Sequence, residues 1–169
     1  YYDNHQAILG ELLEFRDEVL ETFAEPTLIY FDDMESGENG WTTETYSGSD
    51  LWHQTNQNYN SPENSWWPGN EEQGNYDAGW ISEAVISPII DLSGIDTTIT
   101  LQFFESYNTE SGWDFCMVDV SNDGGVSWTS LRGVPGEAPS GNSGGWITTY
   151  LDLTAFQGQS IQIRFYFDT

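Results

Sequence analysis

Residues 97–131 decide the fold, and they read TTITLQFFESYNTESGWDFCMVDVSNDGGVSWTSL. The apolar residues Ile99, Leu101 and Phe103 alternate with polar ones, which is the pattern of a β-strand with one buried face. A polar turn follows. Residues 115–120 are then apolar at nearly every position, whatever their parity, and this predicts a central strand that is covered on both sides.

The return of the chain is signalled by the sequence Asn-Asp-Gly-Gly at residues 122–125. Asp-Gly and Gly-Gly favour tight turns because glycine adopts the positive φ that such turns require. Residues 126–131 then predict a third strand, and three strands joined by local turns predict an antiparallel meander. The aromatic content of 15% and the single helical pattern also favour an all-β domain.

Several sequence blocks occur in the order found in jelly-roll modules of the MAM and immune-inhibitor-A C-terminal type. The most specific are Ser-Pro-Ile-Ile-Asp-Leu-Ser at residues 87–93 and Ser-Asn-Asp-Gly-Gly-Val-Ser-Trp at residues 121–128. The chain resembles these modules from about residue 28 to its last residue. The resemblance implies a secreted, non-catalytic, antiparallel jelly-roll β-sandwich that often holds a structural calcium ion.

Two regions are expected, an N-terminal amphipathic α-helix at residues 1–26 and a jelly-roll β-sandwich at residues 27–169. The helix prediction depends on an apolar stripe at helical spacing that runs from Ile8 to Phe23, faces glutamates and ends before Pro26. The resemblance implies one more strand after Thr169. We therefore expect a sandwich that lacks its terminal strand, or one that receives this strand from another copy.

The charge of the chain is extreme. It has 28 Asp and Glu residues against three arginines and no lysine, which gives a formal net charge of −25. This sign excludes nucleic acid as a direct partner and disfavours an anionic membrane surface. Self-repulsion of this size favours neutralising cations, so the charge points to calcium binding or to life in high salt. The single cysteine, Cys116, lies in an apolar strand and is expected to be a small buried side chain.

Candidate calcium ligands lie at strand ends. Asp33 and Glu35 belong to an acidic, glycine-containing loop after the predicted first strand at residues 28–31, and Asp168 ends the last strand. Calcium prefers carboxylate and carbonyl oxygens of this kind. Glu110 and Asp114 form a second acidic pair, which either binds a cation or caps the hairpin between the first two strands. The alternative for all of these acids is that they decorate turns.

Candidate ligand-binding aromatics lie in the long polar stretch of residues 56–79 and just after it. They are Trp66, Trp67, Tyr76 and Trp80. Rings beside amides and carboxylates suit a sugar-binding platform, since rings stack on apolar sugar faces while amides bind hydroxyls. The resemblance instead implies that a tryptophan pair plugs the core beneath the loop. Both interpretations stay open.

Motifs of hydrolytic enzymes, such as His-Glu-x-x-His and Gly-x-Ser-x-Gly, do not occur in the sequence. We therefore expect a non-catalytic, calcium-stabilised module at the cell surface or outside the cell, used for adhesion or surface assembly. The alternatives are a carbohydrate-binding module and a filament subunit that assembles by strand complementation. The expected partners are a cell-surface protein, a glycan or further copies of the chain, with no membrane insertion.

Overall fold

The computed structural model describes residues 26–77 and 79–169. Within them the secondary structure is β, with one 3-10 helix at Thr154–Phe156. Residues 32–169 form one compact unit, and the described residues before Asp32 belong to a separate unit. The predicted helix of residues 1–26 lies, except for Pro26, outside the described residues. The strands are β1 (Thr42–Ser47), β2 (Trp52–Thr55), β3 (Ser65–Pro68), β4 (Ser82–Ile86), β5 (Ile90–Asp91), β6 (Thr100–Glu105), β7 (Phe115–Ser121), β8 (Thr129–Ser130), β9 (Ile147–Asp152) and β10 (Ser160–Asp168).

The largest sheet is built around β10. Its strand order is β1-β4-β10-β7-β8, with β5 also paired to β10, and every pair is antiparallel. On one side Ile163 of β10 lies opposite Val120 of β7, and on the other side Phe165 lies opposite Val85 of β4. Ile163, Val120 and Val85 are each 1% exposed. The apolar alternation of β10 thus supplies the middle of the core.

Two smaller sheets, β2–β3 and β6–β9, complete the described fold. Leu101 and Phe103 of β6 and Leu151 of β9 pack against the main core cluster, so the β6–β9 pair covers the inner face of the large sheet. This arrangement of antiparallel sheets is consistent with a β-sandwich. Burial of each large apolar side chain contributes about 1.5–3 kcal/mol. The cluster consists of Leu92, Ile99, Val118, Val120, Leu153, Ile161 and Ile163.

The predicted meander is wrong in its first strand. β6 pairs with β9 in the smaller sheet, whereas β7 pairs with β8 and β10 in the large one. The third strand is also much shorter than residues 126–131, because β8 contains two residues. Alternation reveals that a segment is a strand but does not reveal its partner. The connection of residues 106–114 is long enough to cross from one sheet to the other.

One further strand prediction needs correction. Residues 28–31 are exposed or half-buried and belong to no strand. The bend at Gly48 leads the chain from one sheet to another, because β1 pairs with β4 while β2 pairs with β3.

The turn at residues 122–125 is confirmed. Gly124 and Gly125 have φ values of 74° and 85°, the left-handed region that glycine adopts without strain. Asp123 Oδ2 accepts the Ser127 hydroxyl at 2.6 Å, and Oδ1 accepts the Ser127 backbone N–H at 2.9 Å. These bonds, with one from the Ser121 hydroxyl, lower the pKa of Asp123 to about 2. The turn therefore carries its own charge-assisted hydrogen bonds.

Candidate functional site

The acidic loop that precedes β1 is fastened by hydrogen bonds. Glu35 Oε1 accepts the Ser61 hydroxyl at 2.9 Å and the backbone N–H groups of Glu63 and Asn64 at 3.1 and 3.0 Å. Its Oε2 accepts Asn64 Nδ2 at 2.8 Å, and Asp33 Oδ1 accepts the Glu35 backbone N–H at 3.1 Å. Burial opposes ionisation of Glu35, but these donors outweigh it and lower the pKa of the carboxyl. Glu35 thus ties this loop to the loop between β2 and β3.

The predicted pair Glu110 and Asp114 meets the ring of Tyr76. Asp114 Oδ2 accepts the Tyr76 hydroxyl at 2.6 Å and the Glu110 backbone N–H at 3.1 Å. The Tyr76 ring also packs edge-on against Phe167, with 5.1 Å between ring centroids. Burial, and then the bond to Asp114, raise the pKa of Tyr76 to about 12. Asp114 is 6% exposed, so its carboxylate acts here as a buried anchor for the turn.

Asp168 lies at the end of β10, beside Trp80. Its Oδ1 accepts the Tyr166 hydroxyl at 3.2 Å. Trp80 is 79% exposed, the highest value among the predicted ligand-binding rings. Both residues border a cavity of about 220 Å³ that is also lined by Ser47, Ile81, Ser82 and Thr169.

The described structure does not gather three of these acids at one point. In the described residues, no group of three or more His, Cys, Asp or Glu side chains could hold a metal ion. Asp168 does not join Asp33 and Glu35 in such a group, and the Glu35 oxygens already face donors. Calcium needs about six to eight oxygen ligands turned toward one point. The calcium assignment therefore stays a prediction from the sequence.

Trp66 and Trp67 lie on β3 and are half-buried. The Trp67 ring covers Gly69 so closely that a Cβ at that position would come within 2.1 Å of it. The same ring packs edge-on against His53 at 5.7 Å. Trp66 Nε1 is buried and finds no hydrogen-bond partner in the described part of the chain. This geometry favours the core plug for both tryptophans and for Tyr76, and it leaves Trp80 as the exposed ring.

A cavity of about 480 Å³ borders the β2–β3 hairpin, and His53 is one of its lining residues. His53 Nδ1 lies 2.6 Å from the carbonyl oxygen of Leu51, and its Nε2 lies 2.9 Å from Glu71 Oε1. Hydrogen bonds from Thr55 and His53 lower the pKa of Glu71, so this carboxylate is an acceptor. Both ring nitrogens therefore lie within hydrogen-bond distance of protein oxygens, and which nitrogen donates depends on the tautomer.

The outward side of the β6–β9 pair presents aromatic rings to solvent. Phe104 is 51% exposed and Tyr150 is 63% exposed. Gln102 lies opposite Tyr150 and Phe104 lies opposite Thr148, so the two rings are diagonal neighbours across the ladder. Diagonal positions are close enough for aromatic side chains to reach the same ligand. We call this surface the Phe104–Tyr150 face; its members are Thr100, Gln102, Phe104, Thr148, Tyr150 and Asp152.

Three polar side chains of the Phe104–Tyr150 face are unengaged within the described part of the chain. Among the described residues, no hydrogen bond involves the side chains of Gln102, Thr148 or Tyr150. An amide can donate and accept, and so can each hydroxyl. Rings and unengaged hydrogen-bonding groups on one rigid ladder are the features of a binding surface.

The cations of the described residues are already engaged. Arg132 pairs with Glu105 and donates to the carbonyl oxygen of Cys116 at 2.8 Å. Arg164 pairs with Asp119 at 2.7 Å. The arginine side chains are 13% and 15% exposed, so neither offers a free guanidinium to an anionic ligand.

No known protein family matches the chain, and no curated protein matches it. Among solved structures it is similar to the K1 cleaved adhesin domain of Lys-gingipain from Porphyromonas gingivalis W83. The TM-score is 0.48 and the identity 19%, and the similarity covers 76% of this chain and 85% of that domain. A likeness at this level transfers no function to this chain. In the described residues, no helix is long and apolar enough to cross a membrane.

The Phe104–Tyr150 face was missed by the sequence prediction, which placed the binding rings in residues 66–80. A signal was present in the strands themselves. Leu101 and Phe103 occupy the inward-facing positions of β6, and Phe104 adds an apolar residue at an outward-facing position. Tyr150 does the same beside the inward Leu151. An aromatic residue at a position where the strand otherwise places polar side chains indicates a solvent-exposed ring. Packing in the core does not account for such a ring.

Proposed function

We propose that this chain is a non-catalytic module, located at the cell surface or outside the cell, that adheres to its partner through the Phe104–Tyr150 face. The observation that supports this function is the exposure of two large rings, Phe104 and Tyr150, among unengaged hydrogen-bonding groups. Exposed rings on a rigid ladder lose little conformational freedom on binding, because the strands already fix their positions.

The non-catalytic part of the proposal has chemical support. Burial raises the pKa of the Cys116 thiol to about 12, so the nucleophilic thiolate is not populated at neutral pH. Both ring nitrogens of His53 lie within hydrogen-bond distance of oxygens of the protein itself. Incubation with chromogenic glycosides and peptides tests this directly, and clear turnover would overturn it.

Self-assembly by strand addition is a second candidate function, and β1 supports it. Among the described strands β1 ends the large sheet, and all six of its residues are exposed. Such an edge can pair with a strand from another copy. Sedimentation with and without calcium tests this candidate, which a monodisperse monomer under both conditions would eliminate.

The adhesion proposal is tested by measuring retention of the purified chain on coated surfaces. The coatings are a neutral polysaccharide, an anionic polysaccharide, a basic protein and an acidic protein. We expect retention on at least one coating, and we expect Phe104→Ala with Tyr150→Ala to abolish it. Trp113→Ala is the matched control, because Trp113 is an exposed ring (67%) that belongs to neither β6 nor β9 but to the connection between β6 and β7. Retention that the double variant preserves would refute the proposal.

A further inference from the structure

The Phe104–Tyr150 face has the chemistry of a sugar-binding surface, and we propose that it binds a neutral glycan. This inference rests on the proposed adhesion function and names the ligand class of the same surface. The sequence placed a candidate carbohydrate site at Trp66 and Trp67, which are half-buried. The proposed site lies instead on the outward-facing side chains of β6 and β9.

The arrangement of the rings suits a sugar. A pyranose has apolar C–H faces that stack on aromatic rings and a rim of hydroxyls that donate and accept hydrogen bonds. Phe104 and Tyr150 supply two stacking surfaces on adjacent strands, and Gln102 and Thr148 lie between them in the same ladder. The Gln102 amide and the two hydroxyls of Thr148 and Tyr150 are unengaged within the described residues. They can therefore bond ligand hydroxyls without breaking bonds in the protein.

Trp146, a half-buried ring, lies beside the Phe104–Tyr150 face. It precedes β9 by one residue, and alternation continued to this position places it on the same parity as Thr148 and Tyr150. Its indole N–H donates to Asn58 Oδ1 at 2.9 Å, which fixes the ring beside the loop between β2 and β3. Rings on both sides of Phe104 would let a linear glycan contact more than one sugar unit.

The charge of the ligand follows from the residues around the face. Among the described residues an anionic glycan would find no free arginine, because Arg132 and Arg164 are held by Glu105 and Asp119. It would also be repelled by a chain of net charge −25. A cationic ligand would need carboxylates at the centre of the face. The carboxylate of the face belongs to Asp152, at the margin of the ladder, where it accepts the Thr154 backbone N–H at 2.8 Å.

The size of the ring pair suits a short ligand. An aromatic side chain buries about 150–250 Å², whereas a stable protein interface needs roughly 800 Å² per partner, so a protein ligand would need contacts well beyond Phe104 and Tyr150. Two or three rings with a few hydrogen bonds are instead sufficient for a short stretch of oligosaccharide. The magnitudes thus favour a glycan.

The inference is tested by isothermal titration with neutral gluco-, manno- and galacto-oligosaccharides and with sulfated and uronic-acid versions of the same backbones. We expect at least one neutral compound to bind, and its anionic version to bind at least tenfold more weakly. Phe104→Ala and Tyr150→Ala should each weaken binding at least tenfold, and Gln102→Ala should weaken it by a smaller factor. Trp113→Ala should leave binding unchanged, and melting curves of all variants establish that they are folded.

The outcomes separate the inference from the function on which it rests. If no neutral compound binds but the Phe104→Ala/Tyr150→Ala variant still loses retention on a protein-coated surface, the adhesion function stands and the glycan inference is wrong. Equal binding of neutral and anionic compounds would also overturn the inference. Binding that Trp80→Ala abolishes and Phe104→Ala preserves would place the site at the exposed ring beside Asp168. If wild type adheres to nothing, both proposals fail.

Discussion

Arg164 of β10 and Asp119 of β7 lie opposite one another in the large sheet, and both Nε and Nη2 of the guanidinium lie 2.7 Å from Asp119 Oδ2. The guanidinium also lies over the rings of Trp128 and Tyr166, at 4.6 and 4.8 Å from their centroids. The arginine and aspartate side chains are 15% and 8% exposed. The pair is therefore largely buried within an aromatic cage on the sheet.

We predict that Asp119→Ala destabilises the protein by about 3–5 kcal/mol, because it leaves a largely buried guanidinium without its counter-ion. Arg164→Met combined with Asp119→Leu should cost less than Asp119→Ala alone, since no unpaired charge remains. Urea unfolding of the two variants and the wild type measures the difference. A cost below about 1 kcal/mol for Asp119→Ala would mean that the pair behaves as an exposed salt bridge.

Glu83 of β4 is a fully buried acid of the large sheet, with 0% exposure. Its Oε2 accepts the Leu51 backbone N–H at 2.7 Å, while Oε1 finds no partner among the described residues. Burial raises the pKa of this carboxyl above its ordinary value of 4.5, and the backbone donors offset part of the rise. Because the folded state binds the proton more tightly than the unfolded chain, Glu83 favours the folded state most at low pH. This contribution decreases as the pH rises through the elevated pKa.

We predict that Glu83→Gln flattens this pH dependence. Glutamine keeps an acceptor for the Leu51 N–H but carries no charge to bury. The stability of the Glu83→Gln variant relative to wild type should therefore increase as the pH rises above 4.5. Each unit of pKa elevation corresponds to about 1.4 kcal/mol. Chemical unfolding from pH 4 to pH 8 measures the effect. Asp96→Asn, which removes a carboxylate from an exposed position, is the control for net charge. A constant difference between Glu83→Gln and wild type across this range would contradict the prediction.

The sequence predicted strands better than it predicted their partners. β7 and β10 were found because their apolar residues leave few alternatives, and the turn at Gly124 and Gly125 was found because its chemistry is local. The partner of β6 could not be found in this way. Its pairing with β9 joins residues such as Leu101 and Leu151, which lie fifty positions apart, and local patterns do not encode contacts at that separation.

The site was harder to predict for a related reason. Trp66 and Trp67 are conspicuous in the sequence, but the sequence does not show that Gly69 and His53 lie against the Trp67 ring in the fold. Phe104 and Tyr150 attract less attention in the sequence, and they become neighbours only when β6 pairs with β9. Similarly, the sequence offers Asp33 and Glu35 as candidate calcium ligands or as turn residues, and no local pattern predicts the donors from residues 61–64 that engage Glu35.

We predict that Gly69→Ala destabilises the β2–β3 hairpin, because its Cβ would come within 2.1 Å of the Trp67 ring and displace it. Trp67→Ala should cost about 3–5 kcal/mol as the loss of a packed tryptophan. The double variant should cost less than the sum of the two single changes, because the clash disappears with the ring. Trp80→Ala, at an exposed ring, is the matched control and should be nearly neutral. Thermal unfolding decides between these outcomes, and a neutral Gly69→Ala would show that the ring does not pack there in solution.

Calcium dependence is the last prediction, and it concerns the whole acidic chain as well as Asp33 and Glu35. Simple screening of the −25 charge should raise Tm equally in sodium and calcium chloride at matched ionic strength. A specific site should add a further shift, because an ion that binds the folded state alone stabilises it by about 2.7 kcal/mol at a hundredfold excess over Kd. For a chain of this length that corresponds to about 5–10 °C. We expect this extra shift in calcium and its reduction by Asp33→Asn, with Asp96→Asn as the charge-matched control. If a chelator leaves Tm unchanged at matched ionic strength, the calcium prediction is wrong and screening alone accounts for the effect of salt.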